Sequence, residues 1–200
     1  MKTVIHRPYH LITNLISPVV GVMKTSYSMI SIIVFCLFLL TTHAAYASPN
    51  HGYAVDLLKG EGNVTGVKLA YQYHPEGAQN FVGDARFYLE SSINLWHYRH
   101  DQQSQSNLVL AVSPVVQFPA FSLYNTPFYV EAGIGFSLLD ERYFADKNLS
   151  THYQFEDRIG LVADFGETNV ALRIIHYSNA GFKSPNPGIN FLTLSVAQRF

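Results

Sequence analysis

"FYVEAGIGFSL", residues 128–138, decides the fold. Its even positions, Phe128, Val130, Ala132, Ile134, Phe136 and Leu138, are all apolar. Its odd positions, Tyr129, Glu131, Gly133, Gly135 and Ser137, include a carboxylate. Successive residues of a strand point to opposite faces, so this stretch predicts a strand with one wholly apolar face and one that carries charge.

The same alternation recurs along the chain. Residues 153–166 set Phe155, Ile159, Leu161, Ala163 and Phe165 against Gln154, Glu156, Arg158 and Asp164, with Asp157 interrupting the apolar face. Residues 84–98 set Phe87, Leu89, Ile93 and Leu95 against Arg86, Glu90 and Asn94. Eight such segments are expected, at 52–59, 64–74, 84–98, 107–118, 127–139, 153–166, 168–178 and 189–200. Clusters of turn-forming residues separate them, among them "KGEGN", "FPAFSLYNTP", "LDERYFADKNLS" and "SNAGFKSPNPG". The predicted fold class is all-β, an eight-stranded antiparallel barrel.

A soluble, lipocalin-like barrel would turn the apolar face inward; a transmembrane barrel turns it to lipid and fills its interior with polar groups. Charged residues make up 14% of the chain, against about 25% in soluble domains. The polar faces carry Arg86, Arg158, Arg173 and Arg199 together with Glu90, Glu131, Glu156 and Asp164, a set that neutralises itself inside a narrow barrel. The chain ends "FLTLSVAQRF", in mid-strand on Phe200, which resembles the C-terminal strand of outer-membrane barrels. These features favour the transmembrane barrel, with the soluble one as the alternative.

Upstream, "MISIIVFCLFLL" (29–40) follows Lys24 and precedes an Ala-x-Ala site at Ala45–Ala47. A positively charged start, a short apolar run and small residues read as a secretory signal. The run falls short of the about 20 residues that span a bilayer. The expected division is a signal peptide over 1–47, with Met23 as an alternative start, and an outer-membrane barrel over 48–200. The only cysteine, Cys36, lies in the apolar run. The mature chain therefore has no disulfide, thiolate metal site or cysteine nucleophile. Ten cations against fourteen carboxylates remain after residue 47, which gives no footprint for nucleic acid.

Strand parity also locates a candidate site. Val170, Leu172, Ile174, His176 and Ser178 share one face of the seventh segment; Asn190 shares the face of Leu192, Leu194 and Val196 in the eighth. All three polar residues therefore project outward. With both termini in the periplasm, they sit at the cell-surface end. Same-face neighbours along a strand are about 6–7 Å apart at the backbone, which side chains can close. A histidine beside a serine is a base beside a nucleophile. Asn179 then offers an amide side chain, and Ala180 and Gly181 offer backbone N–H groups, as oxyanion donors. No G-x-S-x-G motif is present, which excludes an α/β-hydrolase. The bland alternative is a polar strand end at an interface.

"IHYSNAG" (175–181) followed by "NPGIN" (186–190) resembles the lipid A 3-O-deacylase family of outer-membrane acyl hydrolases. The resemblance implies hydrolysis of the ester at the 3 position of lipid A, with His176 as base, Ser178 as nucleophile, Asn179 and Gly181 at the oxyanion site, and no metal or cofactor. The partners it implies are lipid A on lipopolysaccharide, as substrate, and the outer membrane; a homodimer is left open. One position departs from the family pattern, which places glutamate where this chain has Asn190. In a serine protease the corresponding acid-to-amide change costs roughly 10⁴ in rate, through the wrong histidine tautomer. Three outcomes stay open: a working Ser–His–Asn arrangement, a substitute carboxylate, or reduced activity. The rival function is a small non-catalytic barrel that has lost activity. Asp140, Glu141 and Asp146 lie in the preceding outer loop. His97 and His100 read as exposed loop histidines, Trp96 and the tyrosines as interfacial belts, and Lys183 as a solvated lysine.

Overall fold

The computed structural model of the protein describes residues 50–77 and 84–200. The expected signal peptide, the alternative start at Met23 and Cys36 lie outside the described residues. The strands are β1 (His51–Gly60), β2 (Val64–Tyr73), β3 (Arg86–His100), β4 (Gln103–Leu123), β5 (Thr126–Leu139), β6 (Tyr143–Phe144), β7 (Lys147–Asn148), β8 (Tyr153–Asp164), β9 (Thr168–Ser178) and β10 (Ile189–Arg199). Eight of them close into an antiparallel barrel, each pairing with the next in the order β1-β2-β3-β4-β5-β8-β9-β10 and back to β1. The closing seam runs from Gly52 opposite Arg199 to Gly60 opposite Phe191. Closure leaves no open sheet edge, which is what a hydrocarbon solvent demands of the backbone.

The alternation at 128–138 takes the predicted sense. Val130, Ile134, Phe136 and Leu138 are exposed on the outer wall, whereas Glu131 and Ser137 are buried in the lumen. The interior charges pair as a network. Lys68 Nζ lies 2.8 Å from Glu90 and 3.3 Å from Glu156, and Arg158 pairs with both carboxylates. Arg173 bridges Glu131 at 2.7 Å and Asp56 at 3.2 Å. Arg86 pairs with Asp164. Lys68 and Asp56 add to the set expected from the sequence. Gly135 makes room within this lumen: a β-carbon there would sit 1.8 Å from Ser113 Oγ, which donates to Glu156.

Three expectations need correction. Strand β4 runs on through Pro119, where a break was expected, because the register shifts between Pro119 and Phe121 and a bulge tolerates a residue with no N–H. The segment after Leu139 is not a plain loop. It contains the β6–β7 hairpin, and its Phe144 and Leu149 bury completely among Trp96, Tyr177, Ile189 and Phe191. One end of the lumen is thus plugged by apolar side chains. Trp96, expected in an interfacial belt, belongs to this plug; it shares parity with the interior residue Asn94. Tyr53, Tyr71 and Tyr73 do face outward; Tyr71 and Tyr73 lie close to His51, and Tyr53 stacks on Phe200, near the terminal rim.

Candidate active site

The β1–β2 turn, the β5–β8 connection and the β9–β10 loop all lie on the rim opposite the termini. The outward faces of β8, β9 and β10 meet there. Register places Asn190 of β10 directly across from His176 on one side, and Asp157 of β8 across from it on the other. Adjacent residues in an antiparallel pair bring their β-carbons to about 5 Å. The contact follows: His176 Nδ1 and Asn190 Oδ1 are 2.7 Å apart. An amide oxygen only accepts, so the contact calls for an N–H at Nδ1.

Ser178 follows two residues later on the same face and is 9% exposed. It lies across from Phe155 of β8, whose ring approaches Phe182 of the loop and Phe136 of β5. His176 and Asn190 are thus in contact. Ser178 stands beside them, next to an aromatic wall, with no hydrogen bond to the His176 ring.

The β9–β10 loop is held by Asn179. Its side chain is fully buried, donating to Lys183 O at 2.9 Å and Leu149 O at 3.3 Å, and accepting the Gly181 N–H at 3.0 Å. The Asn179 N–H donates in turn to Asn186 Oδ1 at 3.1 Å. The Asn179 amide is therefore spent on shaping the loop. Of the backbone donors expected at an oxyanion site, Ala180 has the N–H with no partner among the described residues. Ala180 is exposed, with φ 52°.

At the far end of the loop, Gly188 has φ +60°, and a β-carbon on it would lie 2.6 Å from Cε1 and 3.2 Å from Nε2 of His176. Only glycine lets the backbone lie this close to the ring.

None of the three carboxylates of the outer loop reaches His176. Asp146 accepts from Tyr98 OH at 2.5 Å, and the Glu141 backbone is tied to Asn107 at both its N–H and its carbonyl. The carboxylate that comes nearest through a partner is Glu61, in the β1–β2 turn, which accepts from Asn190 Nδ2 and pairs with Lys147. Burial alone would raise its pKa, but the hydrogen bonds from Lys147 and Asn190 prevail and hold the carboxyl below 4.5. His97 is half-buried, 3.3 Å from Ser106 Oγ, and His100 is exposed. Lys183 is exposed on a cleft of about 270 Å³ that it shares with Arg142 and Asn148.

The profile of the family described as lipid A 3-O-deacylase (PagL) matches residues 65–199. Lipid A deacylase PagL of Bordetella bronchiseptica is 32% identical over 164 residues, covering 80% of this chain and 90% of that protein. Its namesake from Pseudomonas aeruginosa is 33% identical over 127 residues, covering 63% and 72%. The crystal structure of the outer membrane enzyme PagL superposes with a TM-score of 0.63 at 25% identity, covering 74% of this chain and 99% of that one. The barrel, the H-x-S-N-A-G stretch on its outer wall and these similarities together place the chain in the lipid A 3-O-deacylase family.

Proposed function

We propose that this outer-membrane hydrolase cleaves the 3-O-acyl ester of lipid A by a serine–histidine mechanism, drawing its substrate from the outer leaflet. The observation that carries the reading is the 2.7 Å bond between His176 Nδ1 and Asn190 Oδ1, made on the outer wall beside Ser178. It sets the tautomer that a base needs. With the termini in the periplasm, the loop rim meets the outer leaflet, and the ester approaches along the wall rather than through the plugged lumen.

In this scheme His176 Nε2 takes the Ser178 hydroxyl proton as Oγ bonds to the ester carbonyl carbon. The resulting oxyanion is met by backbone donors at the start of the loop, with the Ala180 N–H as the available one, and Asn179 and Gly181 holding its position. Collapse breaks the bond to the sugar oxygen, which takes the proton from Nε2. Water, deprotonated by the same nitrogen, then releases the 3-hydroxy fatty acid and restores Ser178. The acyl chain packs on Phe155, Phe182 and Phe136. All these groups belong to one chain, so a homodimer is not required.

Mass spectrometry of lipid A from cells with and without the protein tests this. Expression should remove one 3-hydroxyacyl group, and Ser178→Ala should abolish the loss while leaving a folded barrel. Unchanged lipid A with correctly inserted protein would sink the reading. It would favour a non-catalytic barrel, the reading that Asn190 supports.

A further inference from the structure

We propose that Glu61 is a positioning residue for this reaction: acting through Asn190, it fixes the tautomer of His176 and supplies the negative charge that an amide lacks. The inference rests on the serine–histidine reading above.

The problem with asparagine at this position is its symmetry of shape. Its oxygen and NH₂ ends are nearly isosteric, and they instruct histidine oppositely. An NH₂ turned to Nδ1 forces the ring proton onto Nε2, where it blocks the base. That is the wrong tautomer held responsible for the loss in acid-to-amide variants of serine proteases. An ionised carboxylate only accepts hydrogen bonds. Placed behind Asn190, Glu61 draws the NH₂ end toward itself, and the oxygen end is left for His176. The opposite orientation would set an amide oxygen against a carboxylate and an NH₂ against the ring. The observed chain, His176 Nδ1 to Asn190 Oδ1 and Asn190 Nδ2 to Glu61 Oε1, is the one orientation in which every group is matched.

Glu61 is itself held from several sides. Its backbone N–H donates to Asn190 O at 3.2 Å. Its carboxylate pairs with Lys147 of β7, whose Nζ also donates to Gly188 O at 3.0 Å. Gly188 packs on the ring of His176. One lysine therefore ties the carboxylate to the loop that covers the base. Glu61 lies one residue past Gly60, which pairs with Phe191, so the seam register itself delivers residue 61 beside residue 190.

Among the described residues, the charged groups placed near His176 are Asp157, across from it on β8, and the Glu61–Lys147 pair beyond Asn190; Lys59 turns to Gly62 O. Asp157 is common to the wild type and to any Glu61 variant, so a shift between them reports Glu61.

The test compares purified wild type, Glu61→Gln, Glu61→Gln/Asn190→Glu and Ser178→Ala, using lipopolysaccharide in detergent micelles. Heat-dependent gel mobility reports folding. Glu61→Gln should lower kcat by at least about tenfold, less than the roughly 10²–10⁴-fold that a positioned base contributes, because the base itself is kept, with KM little changed. The acid limb of its pH–rate profile should move to lower pH, because the imidazolium loses a stabilising anion. Asn190→Glu in that background should restore kcat, because a carboxylate then meets the ring directly. A Glu61→Gln enzyme with wild-type kcat and an unmoved acid limb overturns the proposal, provided Ser178→Ala is inactive. If Glu61→Gln does not fold, the Glu61→Gln/Asn190→Glu variant decides: folded but no faster than Ser178→Ala, it overturns the proposal. An active Ser178→Ala overturns the serine–histidine reading instead.

Discussion

At the residue scale, the site hinges on which groups stand behind His176. The sequence brought His176, Ser178 and Asn190 to one outward face through parity alone, and their places in the barrel agree with that. It did not bring Glu61 into view. The outer loop next in sequence to β8 offered three more obvious carboxylates, and the seam between first and last strands carries no local signal. Yet a barrel of eight strands must pair β1 with β10, so extending that register past Gly60 would have found Glu61. The ionisation of Glu61 yields a prediction of its own. Its folded pKa is depressed below 4.5, so its contribution to stability is complete above pH 4.5 and disappears as pH falls through the lower folded value. The difference in thermal unfolding midpoint between wild type and Glu61→Gln should stay constant from neutral pH down to about 5. It should shrink below that. A difference that fades near neutrality would mean the carboxyl is not held in its ionised form.

At the scale of elements, the β9–β10 loop was legible as a turn from its Gly, Pro and Asn content, but its internal wiring was not. Asn179 looked like a donor to substrate, whereas its buried amide ties Leu149, Gly181 and Lys183 together. Such wiring depends on Leu149, which arrives from another loop and has no sequence neighbour here. Gly188 is the sharpest test of the loop's position. Gly188→Ala must adopt a left-handed backbone at a cost of about 1–2 kcal/mol, and its methyl must displace the His176 ring. Misplacing a catalytic group by about 1 Å costs roughly 10²-fold, so deacylation should fall by about that factor while the barrel still folds. Wild-type turnover in this variant would show that the ring has slack the structure does not display.

At the scale of the whole molecule, the alternation in "FYVEAGIGFSL" was enough for the barrel because each strand repeats it. The outer-membrane wall follows from one face and the ion network from the other. What the alternation could not convey is the apolar plug at the loop rim, because Phe144 and Leu149 sit in a stretch with turn-like composition. The network makes its own demand. Arg158 lies between Glu90 and Glu156, with Lys68 the one other cation paired to them among the described residues. Removing one partner of a buried ion pair costs about 3–5 kcal/mol. Arg158→Met should lower the stability to urea by that order in equilibrium unfolding from lipid vesicles, with the site at the rim still assembled at low denaturant. A neutral effect would mean that lumen water screens the carboxylates.

The hydrogen bond between Asn190 and Glu61 joins residues 129 positions apart, and it does so across the first and last strands. In a chain still in transit these two groups have no means of meeting. Under the proposed role of Glu61, the amide behind His176 has no orienting anion until β1 meets β10. Orientation of the base is then coupled to closure of the barrel.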